Sequence, residues 1–330
     1  MKKSWIAIGS ILLSVLISPL KATAATFDRL YVFGDSLSDN GNIFNVSQEF
    51  PQLTGGPYPP SPPYFAGRFS NGPVWVEYLS QDLGLSLPTP VTILNPTQPN
   101  GSIDFAFGGA GSGAGNTVAP SAPPQLLPGL QTQVTDFQAI FPQADPNALY
   151  TVWSGADDYL FGQQTDPSVT VNNITTAITN LATSGARDFI VPNLPDLGQL
   201  PATRDNQTLT QDTTTHNSAL ANALASLESQ NPSLNITLLD VYAAQQQQFQ
   251  NGQFLNVADA CLADNGVPCP APQNYFFWDT YHPTTAVHRI IANLAEADLN
   301  IQPVPEPSQV VGLLAFGAFS TLGMLYKRYL

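Results

Sequence analysis

A serine and a histidine, far apart in the chain, each stand where hydrolytic chemistry could use them. Ser36 belongs to the motif Gly34-Asp35-Ser36-Leu37, directly after the apolar run of residues 30–33. A serine just past a buried strand can present its hydroxyl at the ligand-binding edge of a sheet, and the turn after it can donate backbone N–H groups to an anion. Taken alone the motif indicates little, because Gly-Asp-Ser is also ordinary turn and N-cap chemistry.

The second feature is a histidine near the other end of the chain. Asp279 lies three residues before His282, so one turn can bring its carboxylate to the ring nitrogen, fix the tautomer and support the imidazolium. The alternative is a structural histidine with a capping interaction. The chain has three histidines, and the other two, His216 and His288, lie within helical patterns, where we expect surface or packing roles.

An alternation of apolar runs and helical patterns must position these residues. The runs cover residues 30–33, 103–107, 149–153, 189–191 and 234–239, and helical periodicity covers residues 126–141, 169–183, 213–229 and 283–299. Such alternation predicts a parallel sheet covered by helices on both faces. Ligands then bind beyond the carboxyl ends of the strands.

Two further segments have unusual composition. Residues 51–73 contain seven prolines, which predict a long insertion or an active-site loop. The four consecutive glutamines at residues 245–248 predict a solvated helix or loop face. Residues 109–115 are rich in glycine, but no Lys-Ser or Lys-Thr pair follows them, which disfavours a phosphate-binding loop.

The charge balance argues against two classes of partner. The chain carries 24 acidic and 10 basic residues, a formal net charge of −14, and its sequence pI is near 4.2. All four lysines lie in the terminal segments, so residues 26–305 hold 5 arginines against 23 acids. Nucleic acid requires a basic surface, and adhesion to anionic lipid requires a basic patch. We therefore expect no nucleic-acid partner.

The first 25 residues predict a secretory signal peptide. Lys2 and Lys3 precede an apolar run over residues 5–17, and small residues at 22–25 provide a cleavage site. The alternative is an uncleaved N-terminal anchor, for which the apolar stretch is short. In an exported protein, Cys261 and Cys269 are expected to form a local disulfide. Without a nearby histidine they make a poor zinc site, and we expect neither a metal nor a cofactor.

The C-terminal segment, residues 304–330, is expected to be a sorting tail. Pro305-Glu306-Pro307 precedes an apolar run over residues 310–326, and Lys327-Arg328 follows it. This combination resembles the PEP-CTERM tail of exopolysaccharide-producing Gram-negative bacteria and cyanobacteria. The resemblance implies membrane contact through the tail and then processing by a sorting protease of the exosortase type. A plain membrane anchor is the alternative, because the run can span a bilayer. Both interpretations place residues 26–303 outside the cytoplasm, in the cell envelope, on the outer surface or secreted.

Four sequence blocks in a fixed order resemble the SGNH (GDSL) hydrolase family. Gly34-Asp35-Ser36-Leu37 matches the first block, and Asp279 with His282-Pro283 matches the last. Residues 104–110 and 153–159 match the two blocks between them, and the flanking residues 67–72 and 277–279 are similar to lipase and phospholipase-like members. The resemblance covers residues 26–303. It implies a flavodoxin-like three-layer α/β/α fold with a five-stranded parallel sheet.

The resemblance also implies a mechanism. Ser36 attacks an ester carbonyl, His282 takes the serine proton and later protonates the leaving alcohol, and Asp279 orients His282. The backbone N–H groups of Ser36 and Gly109 stabilise the tetrahedral oxyanion, with Gly108 as the alternative to Gly109. The sequence has no Gly-x-Ser-x-Gly elbow, which disfavours an α/β-hydrolase.

One residue of the expected oxyanion hole departs from the family pattern. The third block usually reads Gly-x-Asn-Asp, and its asparagine is Asp157 here. Asparagine donates an N–H to the oxyanion, whereas an ionised aspartate cannot donate and repels the developing negative charge. Three alternatives follow. Asp157 is held protonated, the oxyanion hole works with two donors, or activity is reduced.

Two classes of function are compatible with these observations. The first is an exported serine ester hydrolase that forms an acyl-enzyme and acts on a lipid acyl ester or an O-acylated polysaccharide. The second is a low-activity or inactive surface protein that binds exopolysaccharide through the same cleft, which Asp157 and the sorting tail motivate. The sequence does not decide between hydrolysis and acyl transfer to another alcohol.

Overall fold

The computed structural model describes residues 27–93 and 100–299. The predicted signal peptide, residues 1–25, and the predicted sorting tail, residues 304–330, lie outside the described residues. Within the ranges that are described, no helix is long and apolar enough to cross a membrane.

A central sheet forms the middle layer, and in the described residues it has six parallel strands. The strands are β1 (Leu30–Gly34), β2 (Thr89–Pro90), β3 (Ile103–Asp104), β4 (Leu149–Trp153), β5 (Asp188–Pro192) and β6 (Asn235–Leu239). Their spatial order is β2-β3-β1-β4-β5-β6. β1 and β4 pair along their whole length and are entirely buried. Their almost uninterrupted apolar sequences follow from this, because both faces of the sheet are covered.

The sheet has one strand more than the five that the sequence predicts. β2 is a two-residue edge strand that pairs with β3. Its sequence has no apolar run, and Pro90 has no N–H to give to a second neighbour, which restricts it to an edge. The five predicted strands alone have the order 2-1-3-4-5 of flavodoxin-like proteins. The prediction of the fold class is confirmed, and the prediction of five strands is wrong by this short edge strand.

Helices cover both faces of the sheet. In the described part of the chain they are α1 (Asn42–Glu49), α2 (Trp75–Asp82), α3 (Leu130–Ile140), α4 (Ala156–Leu160), α5 (Pro167–Ser184), α6 (Gln207–Gln230), α7 (Val241–Gln250) and α8 (Thr285–Asp298). α2 and α8 pack together, and Trp75 of α2 and Ile291 of α8 belong to the same buried core cluster. α3, α5 and α6 pack side by side, with Phe137, Ile178 and Leu220 in a second core. These three layers confirm the predicted α/β/α architecture.

A small second sheet supports the segment that carries His282. β7 (Asn256–Ala260) pairs with β8 (Tyr275–Phe277), and the structure joins Cys261 to Cys269 by a disulfide in the connection between them. Cys261 packs against the buried Trp278. The N–H of Trp278 donates to the carbonyl oxygen of His282 at 2.8 Å. The small sheet therefore fixes the backbone of the histidine loop.

The glutamine run on α7 is not the solvated face that the sequence predicts. Gln245 and Gln248 are buried, whereas Gln247 is exposed. The Oε1 atom of Gln245 accepts a hydrogen bond from the N–H of Asp196 at 2.5 Å. Polar side chains carry no periodic hydrophobic signal, so only the packing of α7 reveals that two of them point inward.

The two histidines in helices have packing roles, one of the two alternatives that the sequence left open. The Nδ1 atom of His216 lies 3.0 Å from the hydroxyl of Tyr159. His288 accepts a hydrogen bond from the N–H of Trp75 at 3.3 Å through its Nδ1 atom. Burial lowers the pKa of His216 to about 4 and that of His288 to about 3. Both rings are therefore neutral near pH 7.

Candidate active site

Ser36 lies at the carboxyl end of β1, the strand next to the centre of the sheet. Gly34 ends this strand with a φ of 153°, and a Cβ there would collide with the carbonyl oxygen of Trp153 on β4. Glycine is therefore required where the chain turns out of the sheet. The turn places Ser36 at a cavity, where the residue is 8% exposed.

His282 and Asp279 meet Ser36 from the other end of the sequence. The Nε2 atom of His282 lies 2.8 Å from Ser36 Oγ. On the other side of the ring, Nδ1 lies 2.7 Å from Asp279 Oδ2 and 2.9 Å from Asp279 Oδ1. The ring of Phe69 packs against the imidazole, with ring centroids 4.9 Å apart. The structure thus brings the three predicted residues into one hydrogen-bonded chain.

The carboxylate of Asp279 is buried, and protein donors satisfy both of its oxygens. Its Oδ1 accepts from the N–H groups of Tyr281 and His282 at 2.8 and 2.7 Å, and its Oδ2 accepts from the hydroxyl of Tyr64 at 2.7 Å. Burial alone raises the pKa of Asp279, but the imidazolium of His282 and these hydrogen bonds outweigh it and lower the pKa. Asp279 is therefore ionised near pH 7.

Gly108 and Gly109 were the two alternatives for a backbone donor, and their surroundings differ. The N–H of Gly108 donates to Asp39 Oδ2 at 2.8 Å, so it is engaged inside the protein. Gly109 lines the cavity beside Ser36. Its φ is 77°, and a Cβ there would lie 2.5 Å from Val118 Cγ2, so no other residue fits this turn. The geometry favours Gly109.

Asp157 lies in the first turn of α4 and lines the same cavity as Ser36 and Gly109. It is 6% exposed, and its Oδ1 accepts from the hydroxyl of Thr117 at 3.1 Å. Burial raises the pKa of Asp157 to about 7, although the Thr117 hydrogen bond and the nearby His282 oppose the shift. Near pH 7 Asp157 is therefore present in both its neutral and its ionised form.

Two more carboxyls surround Asp157. Burial and the Asp157 carboxyl raise the pKa of Asp35 well above its ordinary value, and Asp35 Oδ2 is buried without a hydrogen-bond partner. Asp158 points away from the cavity, where it accepts from the backbone N–H and the hydroxyl of Ser112 at 2.8 and 2.9 Å. Neighbouring carboxyls cannot all ionise in a buried site, which favours the neutral form of Asp35 and Asp157.

The cavity next to Ser36 has a volume of about 520 Å³. Its walls are mostly apolar, and they extend from Ser36 to residues of α7 and α8. The apolar lining includes Leu37, Leu53, Phe69, Trp153, Leu160, Phe161, Leu197, Leu200, Val241, Ala244, Phe276, Phe277, Val287, Ile290 and Ile291. Within residues 27–93 and 100–299 no group of His, Cys, Asp and Glu side chains is arranged to hold a metal ion.

Three residues of the site were given no role by the sequence. Tyr64 comes from the proline-rich loop of residues 51–73, which the sequence predicts as an insertion or active-site loop. Phe69 lies in the same loop, within the residues 67–72 that are similar to lipase and phospholipase-like members. Thr117 follows the second block and contacts Asp157. The composition of the loop marked the region, but no local pattern could show which of its side chains reach Asp279 and His282.

Comparison with known proteins gives the following matches. The chain is 35% identical to the phosphatidylcholine-sterol acyltransferase of Aeromonas hydrophila over 205 residues, which cover 60% of this chain and 53% of that protein. It is 28% identical to the thermolabile hemolysin of Vibrio parahaemolyticus serotype O3:K6 over 291 residues, 80% of this chain and 62% of that protein. The chain thus spans less than two thirds of the length of these relatives. The native aryl esterase of M. smegmatis aligns in structure over 83% of this chain and 100% of its own, with 16% identity and a TM-score of 0.46.

A family profile also matches the chain, over residues 30–295. The matched range begins at β1, just before Ser36, and ends within α8, just after His282. It therefore contains the whole site described above and nearly all of the described chain. By this match, the chain belongs to the GDSL-like lipase/acylhydrolase family.

Proposed function

We propose that this protein is an exported serine ester hydrolase that cleaves carboxylic esters through an acyl-enzyme. The observation that carries the proposal is the hydrogen-bonded chain from Ser36 through His282 to Asp279 at the head of a 520 Å³ apolar cavity. A nucleophile, a base within hydrogen-bond reach and a carboxylate that orients the base are the parts that acyl transfer needs.

The reaction proceeds in two halves. Ser36 Oγ attacks the ester carbonyl carbon while His282 Nε2 takes the hydroxyl proton, and the carbonyl π electrons move to the oxygen. The tetrahedral intermediate collapses, the bond to the alcohol oxygen breaks, and His282 returns the proton to that oxygen. Water then attacks the acyl-enzyme, with His282 as base again, and releases the acid and Ser36. Asp279 holds the imidazole through Nδ1 throughout.

The oxyanion of each tetrahedral intermediate is stabilised by the backbone N–H groups of Ser36 and Gly109. Asp157 is the third group at this place. In its neutral form it donates a hydrogen bond to the oxyanion, as a buried carboxylic acid can. In its ionised form it repels the oxyanion, and the hole then works with two donors. We propose that both forms contribute near pH 7.

The substrate is a lipid acyl ester. The apolar lining that reaches α7 and α8 supports an acyl chain beyond the ester carbon, which an O-acetyl group on polysaccharide would not occupy. The relative from Aeromonas hydrophila is named for transfer from phosphatidylcholine to a sterol, which supports a lipid substrate and keeps transfer to a second alcohol open to test. The second candidate is an inactive surface protein that binds exopolysaccharide. Asp157 favours it, because an ionised carboxylate at this place would repel the oxyanion.

Export and sorting belong to the same proposal. The sequence pattern of residues 1–25 supports secretion, and Pro305-Glu306-Pro307 with the apolar run after it supports membrane contact and processing by a sorting protease of the exosortase type. The mass of the protein recovered from the cell envelope tests both. Loss of residues 1–25 and of the tail supports the proposal, and a full-length mass contradicts it.

Hydrolysis of chromogenic esters with short and long acyl chains tests the proposed activity. The purified protein should hydrolyse them and prefer the longer chain, and Ser36→Ala should lose about 10⁴-fold or more in kcat. Ser38→Ala is the matched control, because Ser38 lies in the same turn as Ser36 but its hydroxyl accepts a hydrogen bond from Trp75 Nε1. Activity should persist in this variant. No hydrolysis by folded wild type would favour the binding protein, and an active Ser36→Ala would exclude Ser36 as nucleophile.

A further inference from the structure

A tyrosine from the proline-rich loop reaches the site from a distant part of the sequence. The hydroxyl of Tyr64 donates to Asp279 Oδ2 at 2.7 Å, across 215 positions of the chain. Oδ2 is also the carboxylate oxygen closer to His282 Nδ1, at 2.7 Å against 2.9 Å for Oδ1. Tyr64 and the imidazole therefore share one oxygen of Asp279.

Both the backbone and the ring of Tyr64 are held in place. The hydroxyl of Ser61 donates to the carbonyl oxygen of Tyr64 at 2.6 Å. The ring makes edge contacts with Phe69 and Trp278, with centroids 6.3 and 6.2 Å away. Tyr64 does not line the substrate cavity, whereas Phe69 does. The hydroxyl is thus aimed at Asp279 by packing, outside the space where a substrate would bind.

The direction of this hydrogen bond is fixed by chemistry. An ionised carboxylate only accepts hydrogen bonds, so the phenol must be the donor. Burial and the neighbouring Asp279 carboxylate both raise the pKa of Tyr64, so the phenol keeps its proton at every pH where the enzyme would be assayed. The bond is therefore a permanent, charge-assisted one.

We propose that Tyr64 is a positioning residue of the reaction. It holds the Asp279 carboxylate in one orientation and weakens the stabilisation that this carboxylate gives to the His282 imidazolium. The inference rests on the proposed ester hydrolysis and deepens it. A donor on Oδ2 draws electron density from the oxygen that faces Nδ1, which makes the carboxylate a weaker base toward His282. The donor also keeps the carboxylate in one orientation, so that the imidazole stays aligned with Ser36.

Removal of the hydroxyl has two consequences with predictable signs. The freed carboxylate becomes more basic and holds the imidazolium more tightly, so the rise of kcat/KM with pH moves to higher pH. The less ordered imidazole lowers kcat by about tenfold, the loss that corresponds to one hydrogen bond to a charged group. KM should stay unchanged, because the residue is outside the cavity.

Tyr64→Phe is the test, because it removes only the hydroxyl. Tyr275→Phe is the matched control, since Tyr275 packs against the same Trp278 cluster as Tyr64 but makes no hydrogen bond to Asp279. Each variant is measured for kcat and KM against pH with one chromogenic ester. The other titratable groups around the His282 pair include Tyr58 from the loop, Tyr281 beside His282, Asp157 from α4 and His288 from α8.

Because the pKa of Asp157 is raised to about 7, the two profiles are repeated in an Asp157→Asn background. A shift to higher pH with a lower kcat and an unchanged KM, absent from Tyr275→Phe, supports the positioning role. An unshifted profile, with or without a lower kcat, would overturn it and leave Tyr64 a packing residue. An inactive wild type would instead contradict the proposed function, so the two failures are distinguishable.

Discussion

Two buried carboxyls belong to the same site, and their pKa values move in opposite directions. Asp157 lines the cavity, whereas Asp279 lies behind the His282 ring, at Nδ1. Asp279, in the loop before α8, has a lowered pKa. Asp157, in the first turn of α4, has a pKa raised to about 7. Both residues are buried, Asp157 with 6% and Asp279 with 9% of its surface exposed. Burial alone would raise both values, so the difference comes from what surrounds each group.

The number of donors and the sign of the neighbouring charges make the difference. Asp279 accepts hydrogen bonds from two backbone N–H groups, from Tyr64 and from the His282 ring. Asp157 accepts one, from Thr117, among the described residues, and other carboxyls lie close to it. Carboxyls whose environments separate their pKa values take different roles in one reaction. Asp279 is suited to stabilise the His282 imidazolium. Asp157, in its neutral form, is suited to donate a hydrogen bond to the oxyanion.

The largest expected effect comes from neutralising the ionised member. Asp279→Asn keeps the shape of the side chain but removes its charge, so the imidazole loses both its correct tautomer and the support of its positive form. We expect kcat to fall by about 10⁴-fold. Steady-state kinetics on a chromogenic ester at pH 8 measures it. A fall of less than tenfold would mean that His282 is oriented by another group.

The same substitution at the other carboxyl should have the opposite effect. Asp157→Asn replaces a group that is ionised above pH 7 by a permanent donor. We expect kcat to rise about 10²-fold at pH 9. This is the lower end of the roughly 10²–10³-fold effect that is typical of one oxyanion donor. Below pH 6 the wild-type residue is already neutral, so the rate should change little.

The matched control for this experiment is Asp158→Asn. Asp158 is the next residue on α4 but bonds to Ser112, away from the cavity, so it should give no alkaline gain. Profiles of kcat from pH 5 to 9 that coincide for wild type and Asp157→Asn would show that Asp157 does not face the oxyanion. Asp157 would then leave the proposed catalytic set.

The smallest expected effect is on the free energy of unfolding, whose dependence on pH should have opposite signs for Asp157 and Asp279. A raised pKa means that the folded protein holds the Asp157 proton more tightly than the unfolded chain. Its contribution is therefore present below the ordinary value of 3.8 and lost as pH rises through about 7. Asp157→Asn should raise the free energy of unfolding above pH 7, on the order of 4 kcal/mol. At pH 4 the two proteins should agree.

Asp279 should behave in the reverse way. Its lowered pKa stabilises the fold above the ordinary value of 3.8, and this stabilisation disappears as pH falls through the lower folded value. Asp279→Asn should therefore destabilise the protein at pH 7. Urea unfolding of both variants at pH 4, 7 and 9 makes the comparison, and parallel pH dependence of the two would contradict the opposite shifts.

The strands and the order of the functional blocks were predictable because both are local. The apolar runs of β1 and β4 are buried on both faces, so their sequences are continuous and short. β1 ends at Gly34, and Gly155 follows the end of β4 at Trp153 by two residues. β2 was missed because two residues at an edge leave no pattern. The start of α6 was predicted six residues late, because the cap of Asn206 precedes the periodic part of the helix.

The sequence by itself determined which residues could form a nucleophilic site and at which strand ends they would lie. Motif spacing brought Asp279 to His282 within one turn, and the alternation of strands and helices placed Ser36 at the edge of the sheet. Tertiary structure alone decided that Tyr64 completes the surroundings of Asp279, that Gly108 is engaged by Asp39, and that Asp157 is short of donors. These contacts join segments up to 215 positions apart, and a pKa depends on the sum of such contacts rather than on the residue type.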